Sequence, residues 1–179
     1  GINLEVLLSE EFVFSIEEIL HYAAEQEFEL IDERLAWRKC YEAVKDKTSN
    51  NNFLNEIVNY SEGRQGFITL MASPFSALHR GDLFLFSLCI LDIDFEMQKH
   101  LVKVWFALIT TLLMMDDAED FADDLDTGED NAFIESGSNK EGFEKLQKLL
   151  AENLSVISLI NSAMADALHD KCITLGDKP

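Results

Sequence analysis

Nine of the fifteen residues from Asp116 to Asp130 are acidic and none is basic. With two leading methionines the stretch reads MMDDAEDFADDLDTGED, and it closes the most apolar part of the chain. Carboxylates gathered this closely either cap a helix end in solvent or hold a cation. A hard divalent ion such as Mg2+ or Ca2+ takes oxygen ligands by preference. At roughly 100° per residue, one helical face carries Asp116, Glu119, Asp120 and Asp123, with Asp117 and Asp124 at its edge. Met114, Met115, Ala118, Phe121, Ala122 and Leu125 fall opposite, so the segment is amphipathic.

Upstream, the line that carries the carboxylates turns apolar: Val102, Trp105, Ile109, Leu112 and Leu113. A helix whose acidic face simply met water would be polar along that whole line. A line that runs apolar and then acidic suits a helix lining a pocket, with Trp105, Ile109, Leu112 and Leu113 as the floor. The alternative is a helix buried all round over 100–113 that emerges into solvent over 116–126.

Asp116-Asp117-Ala118-Glu119-Asp120 is a DDxxD at the end of an apolar helix. It resembles the first aspartate-rich motif of the class I isoprenoid synthases, the trans-prenyltransferases and terpene synthases. The resemblance covers roughly residues 95–170. It implies an all-α, terpenoid-synthase-like fold in which aspartates hold Mg2+ against a substrate diphosphate above an apolar cavity. On that reading Asp116 and Asp120 are the primary ligands and Asp117 supports them. Asp123 and Asp124 are additional candidates. The family's second metal motif and the Arg pair after the first motif have no counterpart in this sequence. One side of a diphosphate is therefore left unneutralised, and Arg64 and Arg80 are the candidates to cover it. A homodimer could bring them, or a second acidic helix, across the pocket. The expected function is Mg2+-dependent binding of an isoprenoid diphosphate, with turnover weak or absent. The rival is a non-catalytic helical interaction protein whose acidic face is solvated or docks a basic partner.

Other spacings are weaker. Asp124, Asp126, Gly128, Asp130 and Glu135 partly follow a calcium-loop pattern, with the glycine one position early. Glu18 and His21 have the spacing of a di-iron ligand pair but lack partners on other helices.

The net charge of −20 argues against nucleic acid and anionic membranes as partners. Three cysteines, Cys40, Cys89 and Cys172, are far apart and suit a reducing compartment. No basic segment precedes an apolar one near the start, and no apolar run is long enough to span a membrane. A cytoplasmic location is expected.

The elements that must position these residues read as helices. Two prolines and eight glycines punctuate the chain, and no segment alternates like a strand. The expectation is one all-α domain, an antiparallel helical bundle, over residues 1–179. Its acidic stretch 116–137 would lie between the two longest C-terminal helices. Residues 2–12 read as a short helix. Ser15 and Glu18 form a capping box before helix to about Lys47. Asp92 or Asp94 caps a long helix to about Asp126, ended by Gly128. Ser138 and Glu141 form a second capping box before a helix to about Lys171, with Phe143, Leu146, Leu149, Leu150, Leu154, Ile157 and Leu168 as its core.

Overall fold

The computed structural model describes residues 9–48 and 50–176. They are all-helical, with no strand among them. The helix expected over 2–12 falls largely outside the described residues. The sequence reads as one domain, and its residues gather into two compact units. One is Gly1–Met71 with Gly81–Val102; the other is Ala72–Arg80 with Lys103–Pro179.

The first unit holds α1 (Glu10–Glu27), α2 (Glu33–Val44), α3 (Asn51–Ser61), α4 (Phe67–Met71), a 3-10 segment Asp82–Cys89 and the first two turns of α5 (Phe95–Glu119). Helix α1 starts at Ser9, whose hydroxyl accepts from the Phe12 N–H at 3.2 Å. Ser15, expected as a cap, is instead buried inside α1, and its hydroxyl accepts from Lys47 Nζ at 2.9 Å. The helix expected to run on to Lys47 is two helices. The chain turns at Glu29, which takes a left-handed φ of 56°, and the N–H groups of Leu30 and Ile31 return to the Glu25 carbonyl. Asp32 then caps α2, accepting from the Leu35 N–H at 2.8 Å. No proline or glycine marks this turn, so it carries none of the strongest sequence punctuation.

Helices α1 and α2 pack together and onto the 3-10 segment Asp82–Cys89. Ile19, Cys40, Phe53, Ile57, Leu85 and Phe86 are almost fully buried there. Each of the buried Ile, Leu and Phe side chains contributes about 1.5–3 kcal/mol on leaving water. Gln98 on α5 is fully buried and satisfied: it accepts from Asn50 Nδ2 at 2.6 Å and donates to the Leu88 carbonyl at 3.2 Å. Asp94 caps α5, accepting from the Met97 N–H at 2.8 Å.

The second unit holds a 3-10 turn Ser76–His79, the rest of α5, α6 (Phe121–Thr127), α7 (Ala132–Glu135), α8 (Lys140–Ser158) and α9 (Ser162–Gly176). Phe75, Ala77, Leu78, Met114, Ala132 and Leu146 form one buried cluster. Ala107, Ile157 and Ala165 form another, where α8 and α9 meet α5. Between them Asn153 on α8 donates to the Thr110 hydroxyl on α5 at 2.7 Å, both groups buried. Helix α8 is capped by Asn139, one residue after the expected Ser138, through the Gly142 N–H at 3.0 Å. The expected single last helix is broken after Ser158 and restarts at Ser162. Of its expected core, Leu146 and Ile157 are buried, whereas Phe143 is 39 % exposed. No helix among the described residues is long and apolar enough to cross a membrane.

Candidate functional site

The DDxxD sits where α5 ends. Helix α5 runs to Glu119, Asp120 leaves helical geometry at φ −98° and ψ 4°, and α6 starts at Phe121. Hydrogen bonding continues across the kink: the Asp120 N–H reaches the Asp116 carbonyl at 3.0 Å, and Asp124 N–H the Asp120 carbonyl at 2.9 Å. Asp116 and Asp120 therefore follow each other one turn apart. Gly128, at φ 80°, ends α6 where expected, its N–H bonding the Asp124 carbonyl at 2.8 Å.

The three aspartates have different fates. Asp117 is only 1 % exposed, and both its oxygens are engaged. Oδ1 accepts from the Arg80 guanidinium, and Oδ2 accepts from the Ala132 N–H at 2.7 Å. Burial pushes the Asp117 carboxyl above the usual carboxylate range, more than the Ala132 amide and Arg80 pull it down. Asp116, by contrast, is 60 % exposed in its side chain, with Arg80 Nη1 at 3.7 Å. Asp120 is exposed, and its side chain caps nothing on α6.

Arg80 is thus brought to the motif from 37 residues away. Its Nε also donates to the Ala77 carbonyl at 3.2 Å, which fixes the guanidinium against the end of the 3-10 turn. Glu135 locks the same turn from the other side. It accepts from the N–H groups of Ser76 and Ala77, each at 2.9 Å, and from the Ser76 hydroxyl at 3.1 Å. Burial alone would raise the Glu135 carboxyl, but the Ala77 and Ser76 donors together hold it below its ordinary value. Asn131, 2 % exposed, donates to the Asp117 carbonyl at 2.7 Å and to Asp124 Oδ2 at 2.8 Å. Its own carbonyl oxygen caps α7. The chain after the acidic run therefore folds back onto the motif, and this return rather than the carboxylates alone shapes the site.

The geometry places the remaining candidates as well. Asp117 is spent on Arg80 and Ala132, so the exposed aspartates of the motif are Asp116, which also lies 3.7 Å from Arg80 Nη1, and Asp120. Asp123 is exposed, while Asp124 is half-buried and tied to Asn131. The calcium-loop pattern is not met, because its last residue, Glu135, is committed to Ser76 and Ala77. Arg64 is in the first unit, paired with Glu62.

The apolar floor also differs. Trp105, Ile109 and Leu113 are half-buried, and Leu112 is 42 % exposed. An apolar cavity of about 280 Å3 lies instead on the other side of α5, lined by Met114, Met115, Ala118, Phe133, Leu146 and Leu150. Because α5 is apolar on nearly every side over 101–115, periodicity alone could not say which side is open. Glu18 and His21, the di-iron spacing, go separate ways, to Lys47 and Glu25.

A fit to Mg2+ follows from the donor chemistry. Among the described residues no three His, Cys, Asp or Glu side chains gather into a metal-holding group. Mg2+, however, is usually held by one or two carboxylates with water and substrate phosphate completing its octahedron. Asp116 and Asp120 supply two such carboxylates, and Arg80 supplies a fixed cation beside Asp116. The pair fits a metal that arrives with a phosphate, and does not fit a resident structural ion. No family model, curated protein or solved structure matches this chain.

Proposed function

We propose that the end of α5 is a Mg2+-dependent binding site for a diphosphate, of the kind isoprenoid substrates carry, in an all-helical chain of class I isoprenoid-synthase type. The observation that supports it most is the anchored Arg80 guanidinium 3.7 Å from the exposed Asp116 carboxylate. Diphosphate recognition needs both signs at once. Carboxylates would hold the metal, and a guanidinium group fixed beside them would donate to phosphate oxygens. Asp116 and Asp120 would hold the metal, which supplies charge neutralisation when bound. Arg80 orients the phosphate, and Asp117 keeps Arg80 in place.

The same geometry argues for binding rather than efficient turnover. Ionising an allylic diphosphate needs charge stabilisation around the whole leaving group. The site supplies one cation, already paired with Asp117, and two exposed carboxylates, and the apolar cavity opens on the opposite side of α5. The test is pyrophosphate release from geranyl and farnesyl diphosphates alongside a direct binding measurement. The expected outcome is Mg2+-dependent binding with little release. Robust release abolished by Asp116→Ala would overturn the low-turnover part. Absence of binding in Mg2+ would remove the reading altogether.

A second reading, an acidic docking face for a basic protein partner, is favoured by one observation. Asp123, Asp126, Glu129 and Asp130 are all exposed. That reading needs no Mg2+, which separates it from the first.

A further inference from the structure

Most basic side chains of this chain are neutralised locally. Lys45, Lys47, Arg64, Arg80, Lys99, Lys140, Lys145 and Lys148 all pair with carboxylates. In a protein of net charge −20 that is the expected state. Arg34 and Arg38 depart from it. They are exposed, one turn apart on α2, and neither has an ion-pair or hydrogen-bond partner among the described residues. Both line an open cavity of about 710 Å3 in the first unit, with Trp37, Tyr41, Val58 and Phe86.

The aromatic part of that wall is rigid. Trp37 packs edge-to-face on Phe86, with ring centres 5.5 Å apart, and on Tyr60 at 6.1 Å. Tyr60 is in turn tied by its hydroxyl to the buried Asp82. An indole fixed in this way meets a ligand without losing much side-chain freedom. Two carboxylates also line the cavity, Glu33 and Glu62. Glu62 is neutralised by Arg64, so the balance at the mouth is two unpaired guanidinium groups against Glu33.

We infer that this cavity binds a small amphipathic anion, its phosphate or carboxylate group clamped by Arg34 and Arg38 and its ring body set against Trp37 and Phe86. Guanidinium groups four residues apart on a helix are neighbours on one face, and each offers a planar fork to an oxyanion. The apolar wall selects for a molecule with a ring rather than for free inorganic anion. Size supports a small molecule: pockets of roughly 300–1,000 Å3 bury ligands of that class. The site lies in the first unit and calls for no metal, so it is independent of the α5 aspartates.

The experiment is a titration of the full chain in EDTA, followed by the two indole N–H resonances, with Trp37→Phe used to assign them. The probes are phenyl phosphate, phenylacetate, inorganic phosphate and benzyl alcohol. Phenyl phosphate and phenylacetate should shift the Trp37 resonance and leave Trp105 unmoved; their relative strength tells which oxyanion the clamp prefers. Inorganic phosphate and benzyl alcohol should each bind at least about tenfold more weakly, since each lacks half of the recognition. Arg34→Gln with Arg38→Gln should weaken phenyl phosphate by about tenfold or more while the circular dichroism spectrum is retained. Glu33→Gln should tighten it by about threefold, by removing the opposing charge. The inference is overturned if no ring-bearing anion moves Trp37 at about 10 mM, a concentration at which even a roughly millimolar affinity would saturate. It is equally overturned if benzyl alcohol binds as well as phenyl phosphate, or if the double variant binds unchanged.

Discussion

Arg80 holds two neighbouring aspartates in two different ways: its guanidinium donates to the buried Asp117 and leaves Nη1 3.7 Å from the exposed Asp116. One contact is structural and the other faces solvent, so a single side chain couples the fold of the second unit to the chemistry available at its surface.

The structural half is tested by removing the cation. Arg80→Met leaves Asp117 with one donor, the Ala132 N–H, and a buried oxygen unmatched. The expected loss is about 1–3 kcal/mol, because Arg80 is itself partly open to water and its pairing is screened. Combining it with Asp117→Asn should recover part of that loss, since the amide removes the uncompensated charge. Urea unfolding of the three variants reads the coupling; strictly additive losses would show that the pair is not energetically linked.

Asp117 and Glu135 should tilt the pH dependence of stability in opposite directions. Asp117 has a raised carboxyl, so the folded state holds its proton longer than the unfolded chain. Its contribution is greatest at low pH and declines as pH rises through the interval above the ordinary aspartate value. Glu135 has a lowered carboxyl. Its contribution is full above the ordinary glutamate value and is lost as pH falls through its depressed one. Glu135→Gln should therefore cost stability at pH 7 and little at acid pH. A cost that did not shrink on acidification would mean that Glu135 acts through its shape and not its charge.

Asn131 should be among the least replaceable residues of the second unit. It caps α7 and donates to both the Asp117 carbonyl and Asp124. Asn131→Ala combines a lost cap with buried groups left unsatisfied, at about 2–3 kcal/mol. Asn131→Asp keeps the capping oxygen but sets a carboxylate against Asp124. It should therefore also destabilise, and less so at acid pH. Thermal melts at two pH values distinguish the two effects.

The three thiols should react in a fixed order. Burial pushes Cys40 and Cys89 each up to about 12, whereas Cys172 is half-buried with a smaller rise. The thiolate is the reactive form. A disulfide reagent at pH 8 should titrate Cys172 alone in the folded protein and all three in urea. Rapid native labelling of Cys40 would show that α2 opens readily.

How much of this was readable from sequence depends on the distance between the partners. The all-helical class and the Asp94 and Gly128 boundaries follow from local spacing, and the structure shows them; the apolar face expected opposite the acidic one does not hold beyond Met115, since Ala118, Ala122 and Leu125 are exposed. The breaks at Glu29 and after Ser158 were hidden because neither contains proline or glycine. The commitment of Asp117 was hidden for a different reason. A helical wheel places it at the edge of the acidic face, but only the return of Asn131 and Ala132, and of Arg80 from far upstream, makes it a buried anchor. The arginine cavity was missed although its signal is local: Arg34, Trp37, Arg38 and Tyr41 stand at i, i+3, i+4 and i+7 on one helical face.

Under the proposed function, Asp116 and Asp120 recruit a diphosphate through Mg2+. Calorimetric titration of inorganic pyrophosphate into the full chain, in Mg2+ and again in EDTA, tests it most directly. The predicted result is binding in Mg2+ that vanishes in EDTA and weakens by at least about tenfold in Asp116→Asn with Asp120→Asn, while the double variant keeps its melting temperature. Binding that is equal in EDTA, survives the double substitution or never appears would contradict it.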